Sequence, residues 1–273
     1  MPELPEVETV VAALRNALVG RKLRGARRIG AVRLPFDEAD AAKKLKNRTV
    51  TNVRRRAKYI VVDLDDGAFL LAHLGMTGYF HIDLSKTPPE KHDRLVFPLD
   101  SGEELRYADA RRFGFAVPAE AGDDGWPRPL AGLGVEPLDK QCSSAFMHRL
   151  AEGRKRPVKN FIMSQEIVVG VGNIYASEAL FDARVDPRRA AGTLSRDEWA
   201  RLVKAIRAVL RRAIRDGGST IRNYRRVDGT EGGFQRALSV YGKAGEPCPV
   251  CARPIEQVRL GGRSSFFCGH CQK

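Results

Sequence analysis

The first six residues, Met1-Pro2-Glu3-Leu4-Pro5-Glu6, set an imino acid beside two carboxylates. Methionine before proline is normally trimmed, which would expose Pro2 as a free secondary amine. An α-amino group of pKa about 7.7–8.0 is roughly a tenth neutral at pH 7, several hundred times more than a lysine at about 10.4. It is therefore a nucleophile that needs little burial. A secondary amine that attacks a sugar C1′ forms an iminium, whose electron demand acidifies the C2′ proton and permits elimination of the 3′ phosphate. Base excision and strand cleavage could then share one nucleophile. Glu3 and Glu6 are close enough in sequence to move protons to the ring oxygen or the departing base. The same residues also suit a plain acidic, proline-started helix entrance.

A second constellation lies near the other end. Cys248-x2-Cys251-x16-Cys268-x2-Cys271 has the spacing of a four-thiolate zinc site. Two Cys-x-x-Cys knuckles complete a closed tetrahedron, so the metal would be structural, with no open position for catalysis. A disulfide framework is the competing reading, disfavoured by the size of the chain and the absence of an export signal. His270 reads as a neighbour of this site, and Cys142 as a lone, partly buried thiol. Between the knuckles, Val258–Phe267 reads as two short strands around Gly261-Gly262 and carries Arg259 and Arg263. Such a pinned hairpin could push an arginine into a DNA groove.

These groups need elements to hold them. Val7, Val10, Val11, Leu14 and Leu18 recur at helical spacing from Pro5 to a stop at Gly20. The period then changes. Thr49–Leu64, Ala68–Ile82, Arg94–Leu99 and Glu104–Tyr107 are rich in β-branched and aromatic residues and predict antiparallel strands of a sandwich. A Gly-, Pro- and Asp-rich loop, Ala119–Pro137, separates them from a helical half. There Ser195 and Glu198 form a capping-box pattern before an apolar stripe from Trp199 to Ile214. Its opposite face, with Arg201, Lys204, Arg207, Arg211, Arg212 and Arg215, reads mostly as solvated. Ser219–Gly233 reads as a polar loop.

The chain has 273 residues, 47 Lys+Arg against 33 Asp+Glu, and a net charge of +14. Residues 1–140 carry 23 basic and 21 acidic side chains, whereas residues 141–273 carry 24 and 12. A local excess of that kind points to a polyanion, and nucleic acid is the natural partner. No apolar run reaches a spanning length and the first residues are acidic, so membrane insertion and Sec export are not expected.

Six ordered motifs carry a resemblance across the whole chain: Pro2-Glu3-Leu4-Pro5-Glu6-Val7-Glu8, Arg55-Arg56-Ala57-Lys58-Tyr59, His73-Leu74-Gly75-Met76-Thr77-Gly78, Glu90-Lys91-His92-Asp93, Asp109-Ala110-Arg111-Arg112-Phe113-Gly114, and Val169-Gly170-Val171-Gly172-Asn173-Ile174-Tyr175-Ala176. With the cysteine hairpin ending in Cys271-Gln272-Lys273, the chain resembles formamidopyrimidine-DNA glycosylase, the bacterial base-excision family for oxidised purines. The resemblance implies an α+β protein: a catalytic β-sandwich with an opening helix over 1–134, a helix–two-turn–helix DNA-binding domain over 135–240, and a zinc-bound β-hairpin over 241–273. It implies a cytoplasmic monomer acting on damaged double-stranded DNA, with one structural zinc ion.

It also implies roles. Pro2 is the Schiff-base nucleophile, Glu3 the general acid/base, and Glu6 a further catalytic carboxylate. Lys58 assists β-elimination, and Arg263 binds phosphate and aids δ-elimination. His92, Arg111 and Arg154 are DNA contacts, and Lys159 and Asn173 a phosphate-holding pair. Met76, Arg111 and Phe113 fill the gap left by an extruded nucleotide. The loop Ser219–Tyr224 corresponds to the family's flap over that base. Taken alone, Met76 and Phe113 also suit core packing, and Lys58 the end of a solvated basic strand. Two positions depart from the family pattern: Ala110 for a proline, and Ser164 for an aspartate. The competing functions are an endonuclease VIII-like enzyme for oxidised pyrimidines and a zinc-hairpin DNA-binding protein without catalysis.

Overall fold

The computed structural model describes residues 1–219 and 233–273. The chain folds into two compact units, Met1–Ala131 with Gly217–Gly233, and Gly132–Asp216 with Phe234–Lys273. Residues 220–224 of the expected flap lie outside the described residues.

The first unit opens with α1 (Leu4–Leu18), then β1 (Lys22–Leu23), β2 (Arg27–Arg28), α2 (Glu38–Leu45), β3 (Arg48–Arg56), β4 (Tyr59–Leu64), β5 (Phe69–His73), β6 (Gly78–Leu84), β7 (Asp93–Pro98), β8 (Glu103–Asp109) and β9 (Phe115–Ala119). Two sheets form, in the orders β1-β3-β4-β5-β9 and β2-β7-β8-β6, and their pairs are antiparallel. One apolar core joins them: Val53, Ile60, Val62 and Leu70 from the first sheet meet Phe80, Leu95, Phe97 and Leu105 from the second. Val7, Val10, Val11, Leu14 and Leu18 of α1 belong to the same core. Each such burial contributes about 1.5–3 kcal/mol, so α1 is anchored along its length by residues at helical spacing.

Thr49–Leu64 and Ala68–Ile82 each contain two strands rather than one. Arg56 pairs with Tyr59 across the two-residue turn Ala57-Lys58, with Ala57 at φ 56°. So short a hairpin leaves the apolar alternation almost unbroken, which hides it in the sequence. The second break is Leu74–Thr77, where Gly75 has φ 60°. Lys58 and Met76 therefore sit in turns.

The second unit contains α3 (Ser144–Ala151), α4 (Val158–Ile162), α5 (Asn173–Asp182), α6 (Arg196–Arg215), β10 (Glu256–Leu260) and β11 (Arg263–Phe267). The α6 capping box is formed: the Glu198 N–H donates to Ser195 Oγ at 3.2 Å and the Ser195 N–H to Glu198 Oε2 at 2.8 Å. Trp199, Leu202, Ile206, Val209 and Leu210 are buried from this helix. Its cationic face is not wholly solvated. Arg207 donates to the carbonyls of Pro137, Asp139 and Cys142 at 3.2, 2.7 and 3.1 Å, which ties the segment before α3 onto α6. Glu178 of α5, fully buried, accepts the N–H groups of Ser239, Val240 and Tyr241 at 2.7, 2.9 and 2.8 Å. A carboxylate with three amide donors tolerates burial, and it anchors the chain leading into the hairpin.

Gly75 packs against the backbone of Phe113 and Gly114, and a Cβ at that position would overlap the Gly114 nitrogen. Two site-bearing turns thus meet with no side chain between them. Gly75→Ala should destabilise the first unit by about 1–3 kcal/mol through strain and overpacking, read as a lower urea midpoint with unchanged slope.

Candidate active site

Pro2 is buried and Glu3 is the N-cap of α1, in extended conformation. An uncapped helix start leaves its first N–H groups without acceptors, and here Glu6 supplies one: its Oε2 accepts the Glu3 N–H at 2.8 Å. The other oxygen, Oε1, accepts the Ser219 N–H at 2.7 Å. Glu6 is 2% exposed. Gly218, at φ 81°, lies against it, where a Cβ would stand 3.0 Å from Oε1. Glu6 is therefore committed to two backbone groups, one beside Pro2 and one at residue 219.

Met1 lines a cavity of about 690 Å³ together with His73, Met76, Arg111, Phe113 and Arg33. The start of the chain opens onto the side chains expected to fill a gap in DNA. Phe113 is 43% exposed, and the Arg111 guanidinium lies 4.7 Å from its ring centre. Asp109 orders this turn. Its Oδ1 accepts the Thr77 hydroxyl at 2.5 Å and the Arg111 N–H at 3.1 Å; its Oδ2 accepts the Gly114 N–H at 2.9 Å and the Tyr107 hydroxyl at 3.3 Å. Burial, reinforced by the Asp109 charge, raises the Tyr107 phenol and keeps it a donor. Ala110 falls within this Asp109-bound turn, which forms without the family's proline.

Lys58 is 8% exposed. Close to it, His73 is enclosed by Tyr59 and Phe115, with ring centres 5.0 and 6.0 Å away. Its Nδ1 accepts the Gly75 N–H at 3.0 Å, which places the proton of the neutral ring on Nε2. Burial, with the charges of Lys58 and Arg33, pushes its pKa down to about 4. His92 is half-buried, and its carbonyl accepts the Asp109 N–H at 2.9 Å. The segment before it is held from behind: buried Arg106 donates to Thr87 O and Pro88 O at 2.6 and 3.2 Å, and Asp93 accepts the Glu90 N–H at 2.9 Å.

In the second unit, Lys159 and Asn173 do converge, but on protein. Lys159 Nζ donates to Ser264 O at 3.1 Å and Ser265 Oγ at 2.8 Å; Asn173 Nδ2 donates to the same Ser264 carbonyl at 3.0 Å. Arg263, exposed at the start of β11, pairs with Leu260 across Gly261-Gly262 and lines a smaller cavity with Arg156, Asn160 and Ser164. Arg154 is exposed, its backbone tied to Ala151 and Gly192.

The four thiolates of the hairpin lie within 4.8 Å of one another, with Cys248–Cys271 and Cys251–Cys268 Sγ separations of 3.9 and 3.5 Å. Zn–S bonds of about 2.3 Å in a tetrahedron demand sulfur separations of about 3.8 Å. The donor set fits. Gln272 locks the second knuckle, accepting the Cys268 N–H at 2.9 Å and donating to Val185 O at 2.8 Å. Cys142 stands elsewhere, fully enclosed, and burial pushes its thiol up to about 11.

Three families match consecutive parts of the chain: the formamidopyrimidine-DNA glycosylase N-terminal domain over residues 1–116, the formamidopyrimidine-DNA glycosylase H2TH domain over 133–225, and the zinc finger found in FPG and IleRS over 245–273. The formamidopyrimidine-DNA glycosylases of Laribacter hongkongensis and Xanthomonas oryzae pv. oryzae are 46% and 43% identical to it, over the full length of both partners. The chain belongs to the formamidopyrimidine-DNA glycosylase family. Among solved structures, MutM (FPG) from Thermus thermophilus superposes with a TM-score of 0.86 at 40% identity, covering 99% of this chain and 98% of that one. A Lactococcus lactis FPG mutant in complex with Fapy-dG-containing DNA superposes at 0.90 with 31% identity and full coverage.

As a member of this family the chain holds one structural zinc ion on Cys248, Cys251, Cys268 and Cys271. Two residues in the quoted motifs carry more of the site's geometry than sequence reasoning assigned to them. Asp109 organises Arg111, Phe113 and the Met76 turn, and His73 lies between that turn and Lys58. Each joins neighbours in sequence to one distant partner, Thr77 for Asp109 and Phe115 for His73.

The depressed His73 pKa has a consequence for stability. Between about pH 6.5 and 4 the unfolded chain binds a proton there that the folded chain does not, so stability falls as pH drops through that window and levels off below it. His73→Gln should remove up to about 3 kcal/mol of the difference between pH 7 and pH 4. Urea unfolding of both proteins at the two pH values measures it.

Proposed function

We propose that this chain is a bifunctional DNA glycosylase and AP lyase that removes 8-oxoguanine and formamidopyrimidines from duplex DNA and cuts the abasic site by β,δ-elimination. The observation that carries the reading is that the Pro2–Glu3 segment, held by Glu6, opens through Met1 onto the cavity bearing Met76, Arg111 and Phe113.

Removal of Met1 frees the Pro2 amine. It attacks C1′ of the extruded nucleotide and sheds its proton as the damaged base departs with the glycosidic electron pair; Glu3 then delivers a proton to the ring oxygen, and the C1′–O4′ bond breaks with its pair on that oxygen as the C1′=N bond forms. The iminium formed on Pro2 withdraws electrons from the sugar. Loss of the C2′ proton then breaks the C3′–O bond, and loss of the C4′ proton breaks the C5′–O bond, each phosphate leaving with the bonding pair. Lys58 assists the first elimination, and Arg263 steadies the phosphate in the second. Met76 and Phe113 enter the stack where the nucleotide left it, and Arg111 offers donors to the orphaned base. His92 and Arg154 grip the backbone. In this reading residues 1–134 perform the chemistry, residues 135–240 bind DNA and residues 241–273 form the zinc-pinned hairpin, whose metal only staples the fold. The enzyme works as a monomer in the bacterial cytoplasm on double-stranded DNA.

Borohydride reduction of the iminium tests this. An 8-oxoguanine duplex should yield a covalent protein–DNA adduct, in preference to a thymine glycol duplex. Glu3→Gln should abolish base excision while DNA binding is largely kept. A stronger reaction with thymine glycol would assign the chain to endonuclease VIII-like chemistry, and no adduct at all would leave a binding protein.

A further inference from the structure

Lys159 is among the largest fully buried side chains, 1% exposed. At that burial its ammonium is closed to bulk solvent. The ammonium donates instead to two acceptors on β11, Ser264 O and Ser265 Oγ, and Ser265 is itself fully buried. The Ser264 carbonyl takes a second donor from Asn173. On the other side of the turn, Gly261, at φ 54°, lies against the Asn160 side-chain amide. Arg263 lies between these two fixed points.

A buried ammonium carries a large desolvation penalty, and an apolar side chain would fill the same volume without it. What lysine adds is direction: a formal charge aimed at two oxygens beside Arg263. A two-residue turn on a two-stranded ribbon has little rigidity of its own, and an arginine that must meet one phosphate at one step needs its Cα fixed. We propose that Lys159 is a positioning residue for Arg263: it clamps Ser264 and Ser265 so that the guanidinium meets the phosphate lost in δ-elimination, and it makes no phosphate contact itself. The proposal rests on the role given to Arg263 above.

The test uses the full-length, zinc-loaded enzyme and compares Lys159→Met, Ser265→Ala and Arg263→Ala with the unaltered chain. On a duplex containing an abasic site, Lys159→Met should trap with borohydride within about twofold of the unaltered enzyme, while the ratio of δ to β product falls at least tenfold, toward that of Arg263→Ala. Ser265→Ala, which keeps the charge and loses one acceptor, should fall between. In binding to undamaged duplex, Arg263→Ala should lower the slope of log K against log salt by about 0.9, one phosphate, and Lys159→Met should leave it unchanged. Amide hydrogen exchange over residues 261–266 of the free enzyme should accelerate in Lys159→Met. A Lys159→Met enzyme that loses one phosphate from the salt slope and keeps its δ-to-β ratio would overturn the proposal in favour of direct contact. Unchanged exchange over 261–266 would overturn it as well. If Arg263→Ala keeps the δ-to-β ratio, the role of Arg263 fails, and the exchange measurement still decides whether Lys159 fixes the turn. Should Lys159→Met lose its zinc, Ser265→Ala carries the same readouts, and wild-type values for it would contradict the clamp.

Discussion

A nucleophile at the start of a chain has a single covalent tether, so its position depends on how the first helix is capped and anchored. Here two carboxylates share the capping: the Glu3 side chain accepts the N–H of Glu6, and Glu6 returns the bond. Glu6 takes the N–H of Glu3, the residue after the nucleophile, and the N–H of Ser219, more than two hundred positions away. The helix behind it is sunk into the sandwich core along Val7, Val11, Leu14 and Leu18. Lose the cap and Pro2 becomes a frayed terminus. Through these bonds Glu6 holds the start of α1, and with it the Pro2–Glu3 segment, in place.

The same device appears in the turns and in the second unit. Asp109 satisfies four donors and thereby ties the Arg111–Phe113 turn to the Met76 turn. Glu178 gathers three amides ahead of the hairpin, and zinc, Gln272 and Lys159 fasten the hairpin itself. Two strands with a small apolar cluster around Val240, Ile255 and Phe266 bury too little surface to stand alone. Buried polar groups recur at the loops of both units, because a directed hydrogen bond defines a position that apolar contact alone leaves loose.

Much of this was legible in the sequence, for local reasons. The cysteine knuckles place their ligands in pairs three residues apart, the α6 stripe and its capping box span one helix, and Pro2, Glu3 and Glu6 are neighbours. Features resting on distant partners were not legible. Lys159 meets acceptors 105 and 106 residues away, contacts that no local pattern reveals. Arg207 passed for a solvated cation, although it holds carbonyls 65 to 70 residues distant. The Ala57-Lys58 turn was hidden because a two-residue hairpin preserves the alternation on both sides. Charge was legible in amount and place: the excess lies in residues 141–273, and the first 140 residues are nearly balanced.

The chemistry proposed for this fold stands on a bond between the secondary amine of Pro2 and the sugar. Proteolysis of a borohydride-reduced complex, followed by mass mapping of the DNA-modified peptide, tests it most directly. The expected product is a modified peptide that begins at Pro2, lacks Met1 and carries the sugar remnant on its terminal nitrogen. A remnant on the peptide containing Lys58, or on a chain that retains Met1, would contradict it.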